Sequence, residues 1–334
     1  MEKIIRQLKR SKRVFIASHI NPDGDAIGSL IAMALALDAL GKKVCMYNES
    51  PIPAVYRFLP DANRIVRAIP RSENLKDYDT AVILDCGNLA RIGSIAENIN
   101  RIPVLVNIDH HVTNKAFGNL HCVDTAACAT SEIIYRIVRK MNIPVSKAMA
   151  TAIYTGIFTD TGSFRFANTN KAAFAICDEM VEKGVEPYTV AQHLYGTYSL
   201  GRIKLLNLAL DSIELLLNGE LSFMTLTKDM MEETGTQPED VDGMIHYAKR
   251  IEDVKVAVLI QETHNGLKNG SGRSCFHVSL RSDGSVDVAA LATAFGGGGH
   301  HRAAGFSSEV SLPELKGGII RWLQNAANRA GLSC

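Results

Sequence analysis

Four short segments of this sequence place carboxylates and imidazoles where an apolar run gives way to a polar turn. They read HINPDGD, AVILDCG, LVNIDHH and FTDTG, and they begin at residues 19, 81, 105 and 158. Two divalent cations held close together need several carboxylates, at least one of them shared, with imidazoles completing each shell. The segments therefore predict a site for two divalent metal ions. The candidate residues are His19, Asp23, Asp25, Asp85, Asp109, His110, His111 and Asp160.

The elements around these segments have the alternating pattern of an α/β domain. Apolar runs near residues 13–18, 43–48, 80–85 and 103–109 predict strands, and residues 26–40 predict a helix after the first strand. This rhythm favours a doubly wound parallel sheet. The carboxyl ends of parallel strands meet at one edge of the sheet, where ligands collect. We therefore expect the acidic residues and histidines to converge at that edge.

Each segment alone also fits an ordinary structural role, because aspartate often caps a helix or ends a strand. The residues NPDG predict a turn, which would place His19, Asp23 and Asp25 in one loop before the helix. We also expect helices near residues 131–140 and 145–158, and Asp160 would lie just after the second of them. The joint pattern of all four segments favours a metal site over four unrelated caps.

The C-terminal half contains a second candidate binding segment, FGGGGHHRAAGF, at residues 295–306. Consecutive glycines lack Cβ atoms, so their N–H groups can approach an anion closely, and His300 can donate to a phosphate. Arg281 ends the run VSLR and can place its forked guanidinium on phosphate oxygens. A flexible turn and a surface arginine are the ordinary alternatives. Arg165, which follows Asp160 closely, could face a substrate phosphate or form a surface salt bridge.

Length and composition agree with a two-domain protein that has no membrane span. The chain has 334 residues, of which 46% are hydrophobic, and this content can build two cores. The longest strongly apolar stretch, 27–40, is too short to span a membrane, and the basic N-terminus lacks a signal-peptide pattern. Seven cysteines without CxxC spacing suit reduced thiols. These features predict a cytoplasmic location.

The formal net charge of +1 bears on the kind of partner. Proteins that track long nucleic acids usually carry a pronounced basic face, because neutralising many phosphates supplies their affinity. A nearly neutral chain favours a short phosphate-containing substrate held by a few cations, and it disfavours a long nucleic-acid track. The oligomeric state is left open, with a homodimer as one alternative.

The predicted elements divide the chain into two domains. We place the first domain at residues 1–186, a connecting region at 187–201 and a smaller α/β domain at 202–334. In the second domain we expect strands near 221–227, 254–262, 275–281 and 303–307, helices near 288–295 and 312–328, and an exposed hairpin loop at 264–273.

Taken together, these motifs resemble those of the DHH phosphoesterase superfamily. The triplet Asp109, His110 and His111 matches the motif that gives the superfamily its name, and HINPDGD resembles its first motif. The glycine-rich segment resembles the signature of the DHH-associated C-terminal domain, and VSLRS resembles the substrate-binding strand before it. The closest likeness is to the two-domain NrnA-like group. The members of that group are oligoribonucleases, or nanoRNases, that also remove the 3'-phosphate of adenosine 3',5'-bisphosphate.

The resemblance implies two metal ions, with Asp85 shared between them. Mixed histidine and carboxylate ligation suits Mn²⁺ best, with Mg²⁺ and Co²⁺ as alternatives. The first ion would be held by His19, Asp23 and Asp85, and the second by Asp25, Asp85, His110 and Asp160.

The resemblance further implies metal-assisted hydrolysis of phosphoesters in short oligonucleotides, linear dinucleotides and nucleotide bisphosphates. His111 would contact the scissile phosphate or donate a proton, and Asp109 would orient a neighbouring group. The far end of the substrate would be held across a cleft from the metals by residues of the second domain. These residues are Arg281, Ser282, Gly297, Gly298, Gly299 and His300.

Other functions stay open at this point. An inorganic pyrophosphatase of the same superfamily shares the metal motifs, although GGGGH after VSLRS is not expected there. A RecJ-type exonuclease or a membrane-tethered cyclic-dinucleotide phosphodiesterase would need further domains that this sequence does not show. From a different class, the chain could be a nucleotide-binding regulator that has lost catalysis, but the complete set of metal ligands speaks against this.

Overall fold

Two separate six-stranded sheets organise the chain. They belong to two units, Met1–Thr197 and Tyr198–Cys334. The stretch expected as a connecting region, 187–201, contains a helix at Pro187–Tyr195. The structure is a computed structural model that describes residues 1–69, 74–196, 198–263 and 275–329. The hairpin loop expected at 264–273 lies outside the described residues.

Unit 1 contains a parallel sheet, which confirms the predicted fold class. Its strands are β1 (Arg13–Ser18), β2 (Lys43–Tyr47), β3 (Ile65–Val66), β4 (Thr80–Leu84), β5 (Val104–Asp109) and β6 (Leu120–Val123). They lie in the order β3-β2-β1-β4-β5-β6, with every neighbouring pair parallel. The order reverses between β1 and β4, and ligands bind beyond the carboxyl ends of strands at such a reversal. β3 and β6 are too short for a periodic signal, and the sequence did not predict them.

α-Helices cover one face of this sheet, and short 3₁₀ helices cover the other. Alternate side chains of β1 enter the two cores, with Val14 and Ile16 on the helical side and Phe15 and Ala17 on the opposite side. The second core is closed by 3₁₀ segments between residues 75 and 101. The helices are α1 (Glu2–Arg10), α2 (Gly24–Ala39), α3 (Thr130–Lys140), α4 (Lys147–Asp160), α5 (Lys171–Glu182) and α6 (Pro187–Tyr195).

α2 begins at Gly24, earlier than the sequence predicted. Asp23 is its N-cap, and the carboxylate accepts a hydrogen bond from the backbone N–H of Ala26 at 3.0 Å. Asp25 therefore lies in the first turn of the helix, so its expected place in a loop with His19 was wrong. A negative charge is favourable there, because the free N–H groups at a helix N-terminus carry partial positive charge.

α2 and α4 approach each other closely at two glycines. A Cβ atom on Gly28 would lie 2.5 Å from the carbonyl oxygen of Ala152, and one on Gly156 would lie 2.8 Å from Cβ of Ser131. The absence of side chains at these positions lets α2, α3 and α4 meet beside the end of the sheet. α4 runs on to Asp160, further than predicted, so this carboxylate ends the helix.

Unit 2 contains a mixed sheet with helices on both faces. Its strands are β7 (Glu214–Leu216), β8 (Leu221–Leu226), β9 (Val256–Thr263), β10 (Cys275–Ser282), β11 (Gly298–His300) and β12 (Ala303–Ser308). They lie in the order β11-β12-β10-β9-β8-β7, and only the β8–β9 pair is parallel. One face packs against α7 (Leu200–Asp211), α8 (Lys228–Thr234) and α9 (Ile245–Lys249), and the other against α10 (Val288–Ala294) and α11 (Leu312–Arg329).

Two further observations concern membrane-spanning helices and disulfides. Within the described ranges, no helix combines the length and apolar character needed to cross a membrane. The six cysteines in the described part of the chain form no disulfide.

The close contact between α2 and α4 can be tested with Gly28→Ala. The added methyl group would meet the backbone of Ala152, which cannot move independently of α4, so we expect a loss of about 1–3 kcal/mol in the free energy of unfolding. Gly317→Ala in α11 is the matched control, since its nearest contact is the flexible end of Arg321 at 3.3 Å. The control should be neutral or stabilising by up to about 1 kcal/mol. Equal stabilities of the two variants, measured by urea unfolding, would contradict the contact.

Candidate active site

One group of possible metal ligands lies at the carboxyl end of β1. Nδ1 of His19 donates to the carbonyl oxygen of Ile20 at 2.8 Å, which directs Nε2 toward two carboxylates. Nε2 lies 3.5 Å from Oδ2 of Asp85 and 4.0 Å from Oδ1 of Asp23. One ligand atom from each of these three residues lies within 4.8 Å of the others. A backbone acceptor on Nδ1 is the arrangement that fixes a metal-binding histidine.

A second group lies beside the first and has the same design. Nδ1 of His110, directly after β5, faces the carbonyl oxygen of Ala127 at 3.3 Å. Nε2 lies 3.6 Å from Oδ2 of Asp160 and 4.0 Å from Oδ2 of Asp25. The ligand atoms of His110, Asp160 and Asp25 also fall within 4.8 Å of one another.

Asp85 lies between these two groups. Its Oδ2 faces Nε2 of His19 at 3.5 Å, and its Oδ1 faces Nε2 of His110 at 3.7 Å. The residue follows β4 directly, is 1% exposed and has a φ of 53°. A non-glycine residue in this left-handed conformation is uncommon, and such strain concentrates at functional sites. One oxygen toward each group is the arrangement that a bridging carboxylate needs.

The carboxylates of this site repel one another. Burial, followed by the charges of Asp85 and Asp160, holds the pKa of Asp25 well above its ordinary value. Burial also raises the pKa of Asp160 to about 6, despite the opposing effect of His110. Asp85 differs, because the hydrogen bond and charge of His19 and the other imidazoles outweigh burial and lower its pKa. Divalent cations would relieve this repulsion, and the oxygen and nitrogen donors fit them.

The N-terminus of α3 holds two of these carboxylates in place. Both oxygens of Asp25 accept backbone N–H groups, from Thr130 at 2.6 Å and from Ser131 at 2.9 Å. The hydroxyl of Thr130 donates to Oδ1 of Asp85 at 3.0 Å. The N-cap residue of α3, Ala129, has no capping side chain, so Asp25 caps the helix from a distant point in the sequence.

Next to Asp85, the buried Asp109 forms an ion pair with the partly buried His111. Oδ1 of Asp109 accepts from Nδ1 of His111 at 2.7 Å and from the backbone N–H of His110 at 2.8 Å. Burial alone would lower the pKa of His111, but the bond to Asp109 and the charge of Asp85 raise it to about 10. Burial would raise the pKa of Asp109, but His111 lowers it. The pair therefore holds the imidazole in one orientation.

Two asparagines that the sequence analysis did not single out contact this site. The amide of Asn168 donates to Oδ2 of Asp160 at 3.0 Å, and that of Asn114 donates to Oδ2 of Asp109 at 2.5 Å. Both lie in polar loops after a candidate residue, and that weak pattern was their only signal in the sequence. Thr130 and Ser131 gave no such signal, since their partners are more than 40 residues away.

Arg165 belongs to the turn after α4. Three consecutive residues of that turn, Gly162, Ser163 and Phe164, have positive φ angles of 57°, 60° and 63°. Nε of Arg165 donates to the carbonyl oxygen of Gly162 at 2.6 Å. The guanidinium is therefore tied to the turn that follows Asp160, and its contact with a substrate stays a prediction.

In unit 2 the glycine run forms part of a strand. β11 pairs with β12, and a Cβ atom on Gly299 would lie 2.5 Å from Cα of Ala304. A Cβ on Gly297 would overlap the carbonyl oxygen of Gly305. Gly296 and Gly299 also have positive φ angles, of 81° and 144°. Close strand packing therefore explains Gly297 and Gly299, and the backbone conformation explains Gly296. Anion binding by Gly297, Gly298 and Gly299 stays a prediction.

Arg281 and His300 are brought together by the register of the sheet. Each pairs with Ala303 of β12, one from either side. Directly opposed residues of antiparallel strands share a face, so both side chains lie on one face, roughly 10 Å apart across two strand spacings. Ser282 is placed differently, because its hydroxyl donates to the carbonyl oxygen of Val286 at 2.7 Å and closes a turn.

The support that α3 gives to Asp85 can be tested by replacing Thr130, which is fully buried. Thr130→Val keeps the shape and removes the hydroxyl, whereas Thr130→Ser keeps the hydroxyl. Because such outer contacts orient metal ligands, we expect the valine variant to bind Mn²⁺ about 10- to 100-fold more weakly in calorimetric titration. The serine variant should bind close to the wild-type value. Equal affinities of all three proteins would show that the hydroxyl does not support a metal ligand.

Comparison with known proteins agrees with this architecture. Residues 13–157 match the DHH family, N-terminal domain, and residues 222–325 match the DHHA1 domain. An exopolyphosphatase-related protein from Bacteroides fragilis has a solved structure with a TM-score of 0.84 to this chain and 25% sequence identity. The likeness covers 98% of this chain and 95% of that protein.

Two curated relatives match over nearly their whole length. The bifunctional oligoribonuclease and PAP phosphatase NrnA of Thermus thermophilus is 31% identical over 322 residues, which is 95% of this chain and 91% of the relative. The protein of the same name from Bacillus subtilis is 27% identical over 312 residues, which is 91% of this chain and 92% of the relative. The chain therefore belongs to the DHH family of phosphoesterases, with a DHH N-terminal domain followed by a DHHA1 domain.

Proposed function

We propose that this protein is a metal-dependent phosphodiesterase and bisphosphate nucleotidase. Its substrates are short oligoribonucleotides, including linear dinucleotides, and adenosine 3',5'-bisphosphate, from which it removes the 3'-phosphate. The observation that carries the proposal is the position of Asp85, with one oxygen toward His19 and the other toward His110. The names of the Thermus and Bacillus relatives supply the substrate class.

The residues of unit 1 fit two divalent ions. His19, Asp23 and Asp85 would hold one, and Asp25, Asp85, His110 and Asp160 would hold the other, in agreement with the two groups of ligand atoms. Ions bound there would lower the pKa of water from 15.7 toward about 7 and offset charge on the attacking and leaving oxygens. Mixed imidazole and carboxylate ligation favours Mn²⁺, with Mg²⁺ and Co²⁺ as alternatives.

Asp109 and His111 supply proton transfer in this proposal. The bond from Nδ1 of His111 to Asp109 makes Nε2 the ring nitrogen that would donate to a substrate. The pair with Asp109, at 2.7 Å from Nδ1, favours the protonated imidazole. His111 then gives its proton to the oxygen that leaves phosphorus, so that the product departs as an alcohol.

Arg281 and His300 bind the phosphate at the other end of the substrate. They lie on one face of the sheet of unit 2, and both can donate to phosphate oxygens. Contacts from two side chains are enough to hold a short ligand. A net charge of +1 gives the chain no general electrostatic attraction for a long nucleic acid. We therefore expect cleavage efficiency to fall with the length of the RNA.

A panel of four substrates in Mn²⁺ tests this proposal. We expect release of mononucleotides from an RNA dinucleotide and of phosphate from adenosine 3',5'-bisphosphate, little hydrolysis of pyrophosphate, and a lower kcat/KM for RNA of about 20 nucleotides. Length should not help, because added nucleotides would lack the ~1–3 kcal/mol of stacking per base that extended single-strand binders provide. Product release would be followed by chromatography.

Asp85→Asn is the control that assigns these activities to the proposed site, and it should abolish all of them. Hydrolysis of pyrophosphate alone would show an inorganic pyrophosphatase. Binding of nucleotides without turnover would show a regulator without catalysis. Processive degradation of the longer RNA at the efficiency of the dinucleotide would show a nucleic-acid track, and each of these three results would contradict the proposal.

A further inference from the structure

We propose that Asn114 is a positioning residue for His111 and acts on it through Asp109. The inference rests on the proposed function, in which His111 donates a proton. Asp109 has its two oxygens engaged on different sides, Oδ1 by Nδ1 of His111 at 2.7 Å and Oδ2 by the amide of Asn114 at 2.5 Å. A carboxylate held at both oxygens cannot rotate, so the imidazole bound to it keeps one orientation.

The amide of Asn114 can have only one orientation. Its Oδ1 accepts the backbone N–H of Ala116 at 2.6 Å, and an N–H donor needs an oxygen there. Nδ2 must then face the opposite side, where it meets three acceptors. These are Oδ2 of Asp109 at 2.5 Å, Oδ1 of Asn107 at 2.9 Å and the carbonyl oxygen of Cys86 at 3.3 Å. A flipped amide would place an oxygen against three oxygens, so the donor toward Asp109 is fixed.

Asn107 anchors this amide to the sheet. It lies within β5, is fully buried, and its own Nδ2 donates to the carbonyl oxygen of Cys86 at 3.2 Å and faces that of Ile83 at 3.4 Å. Its Oδ1 is therefore directed at Asn114. A continuous chain of hydrogen bonds thus runs from the backbone of β4 and the loop after it, through both asparagines and Asp109, to His111.

The backbone around Asn114 is also held in place. Its N–H donates to the carbonyl oxygen of His111 at 3.1 Å, and the next residue, Lys115, donates to the carbonyl oxygen of Gly87 at 3.1 Å. The segment is thereby fastened to the loop that carries Asp85. The fold therefore positions Asn114 before any substrate binds, and its hydrogen bond to Oδ2 fixes the orientation of Asp109.

The orientation of His111 matters most when the leaving group needs a proton. In hydrolysis, the oxygen of water forms a bond to phosphorus while the bond to the leaving oxygen breaks, and a ribose oxygen leaves with the proton from Nε2 of His111. The imidazole regains a proton from water. A nitrophenolate is stable as an anion and leaves without a proton, so its departure does not depend on the placement of the imidazole.

This difference gives a test with two substrates, an RNA dinucleotide and the p-nitrophenyl ester of thymidine 5'-monophosphate. For Asn114→Ala we expect kcat on the dinucleotide to fall about 10- to 100-fold. This is less than the roughly 10²- to 10⁴-fold that a general acid contributes in full, because Asp109 remains to bind the imidazole. The kcat on the nitrophenyl ester should change by less than about 3-fold. Asn114→Asp keeps the volume of the side chain and removes the N–H donors, so it should lower kcat on the dinucleotide and leave kcat on the nitrophenyl ester nearly unchanged. This variant replaces the alanine variant if the latter does not fold.

The matched control is Asn119→Ala. Asn119 also fixes a backbone group, since its Oδ1 accepts the N–H of Leu105 at 2.7 Å, but it does so near the start of β5, away from Asp109. This variant should cleave both substrates at the wild-type rate. Equal losses on the two substrates in the Asn114 variants would indicate general damage to the site, and unchanged rates would indicate no role. Either result would overturn the inference.

The proposed function can fail separately from this inference. The comparison works with any phosphoester of a sugar alcohol that the wild-type protein cleaves, including adenosine 3',5'-bisphosphate. A wild-type protein that cleaves the bisphosphate and not the dinucleotide would contradict the oligoribonuclease activity and still test Asn114. A wild-type protein that cleaves only the nitrophenyl ester would contradict both, because no step would need the proton of His111.

Discussion

The carboxylate of Asp85 is the group on which the rest of the site depends. It is buried, and one of its oxygens faces His19 while the other faces His110. A buried carboxylate is unfavourable unless hydrogen bonds or cations compensate for its lost hydration. The imidazoles and the hydroxyl of Thr130 provide part of this compensation. The donors that remain around it, mostly carboxylates, are suited to divalent cations.

The strand order explains why these groups meet. Because β1 and β4 are neighbours in register, Ser18 lies opposite Leu84, and the residues that follow them, His19 and Asp85, emerge side by side. β5 lies next to β4, and this places Asp109 one step further along the same edge. The close packing of α2 against α4 brings Asp25 and Asp160 to this edge from the helical side. The reversal of strand order between β1 and β4 is thus the place where the site forms.

The sequence was most informative where a residue type and its position relative to a strand coincide. His19, Asp85 and His110 follow strands that their apolar runs predicted, and the parallel sheet brings them together as expected. Contacts between segments that are distant in the sequence could not be predicted, because they leave no signal in the residue pattern around either partner. Asn107 lies within an apolar strand and shows its role only through the amide of Asn114. The strand pairing of the glycine run was missed for a different reason, since four glycines carry no periodic signal.

Counting the bound ions tests whether two metal ions share Asp85. Equilibrium dialysis against Mn²⁺ with elemental analysis gives the number bound per chain, and electron paramagnetic resonance shows whether two ions are magnetically coupled. We expect two coupled ions in the wild-type protein. In Asp85→Asn we expect that at least one ion is lost and that the magnetic coupling disappears. A single ion in the wild-type protein, or two ions that are unaffected by the substitution, would contradict a shared Asp85.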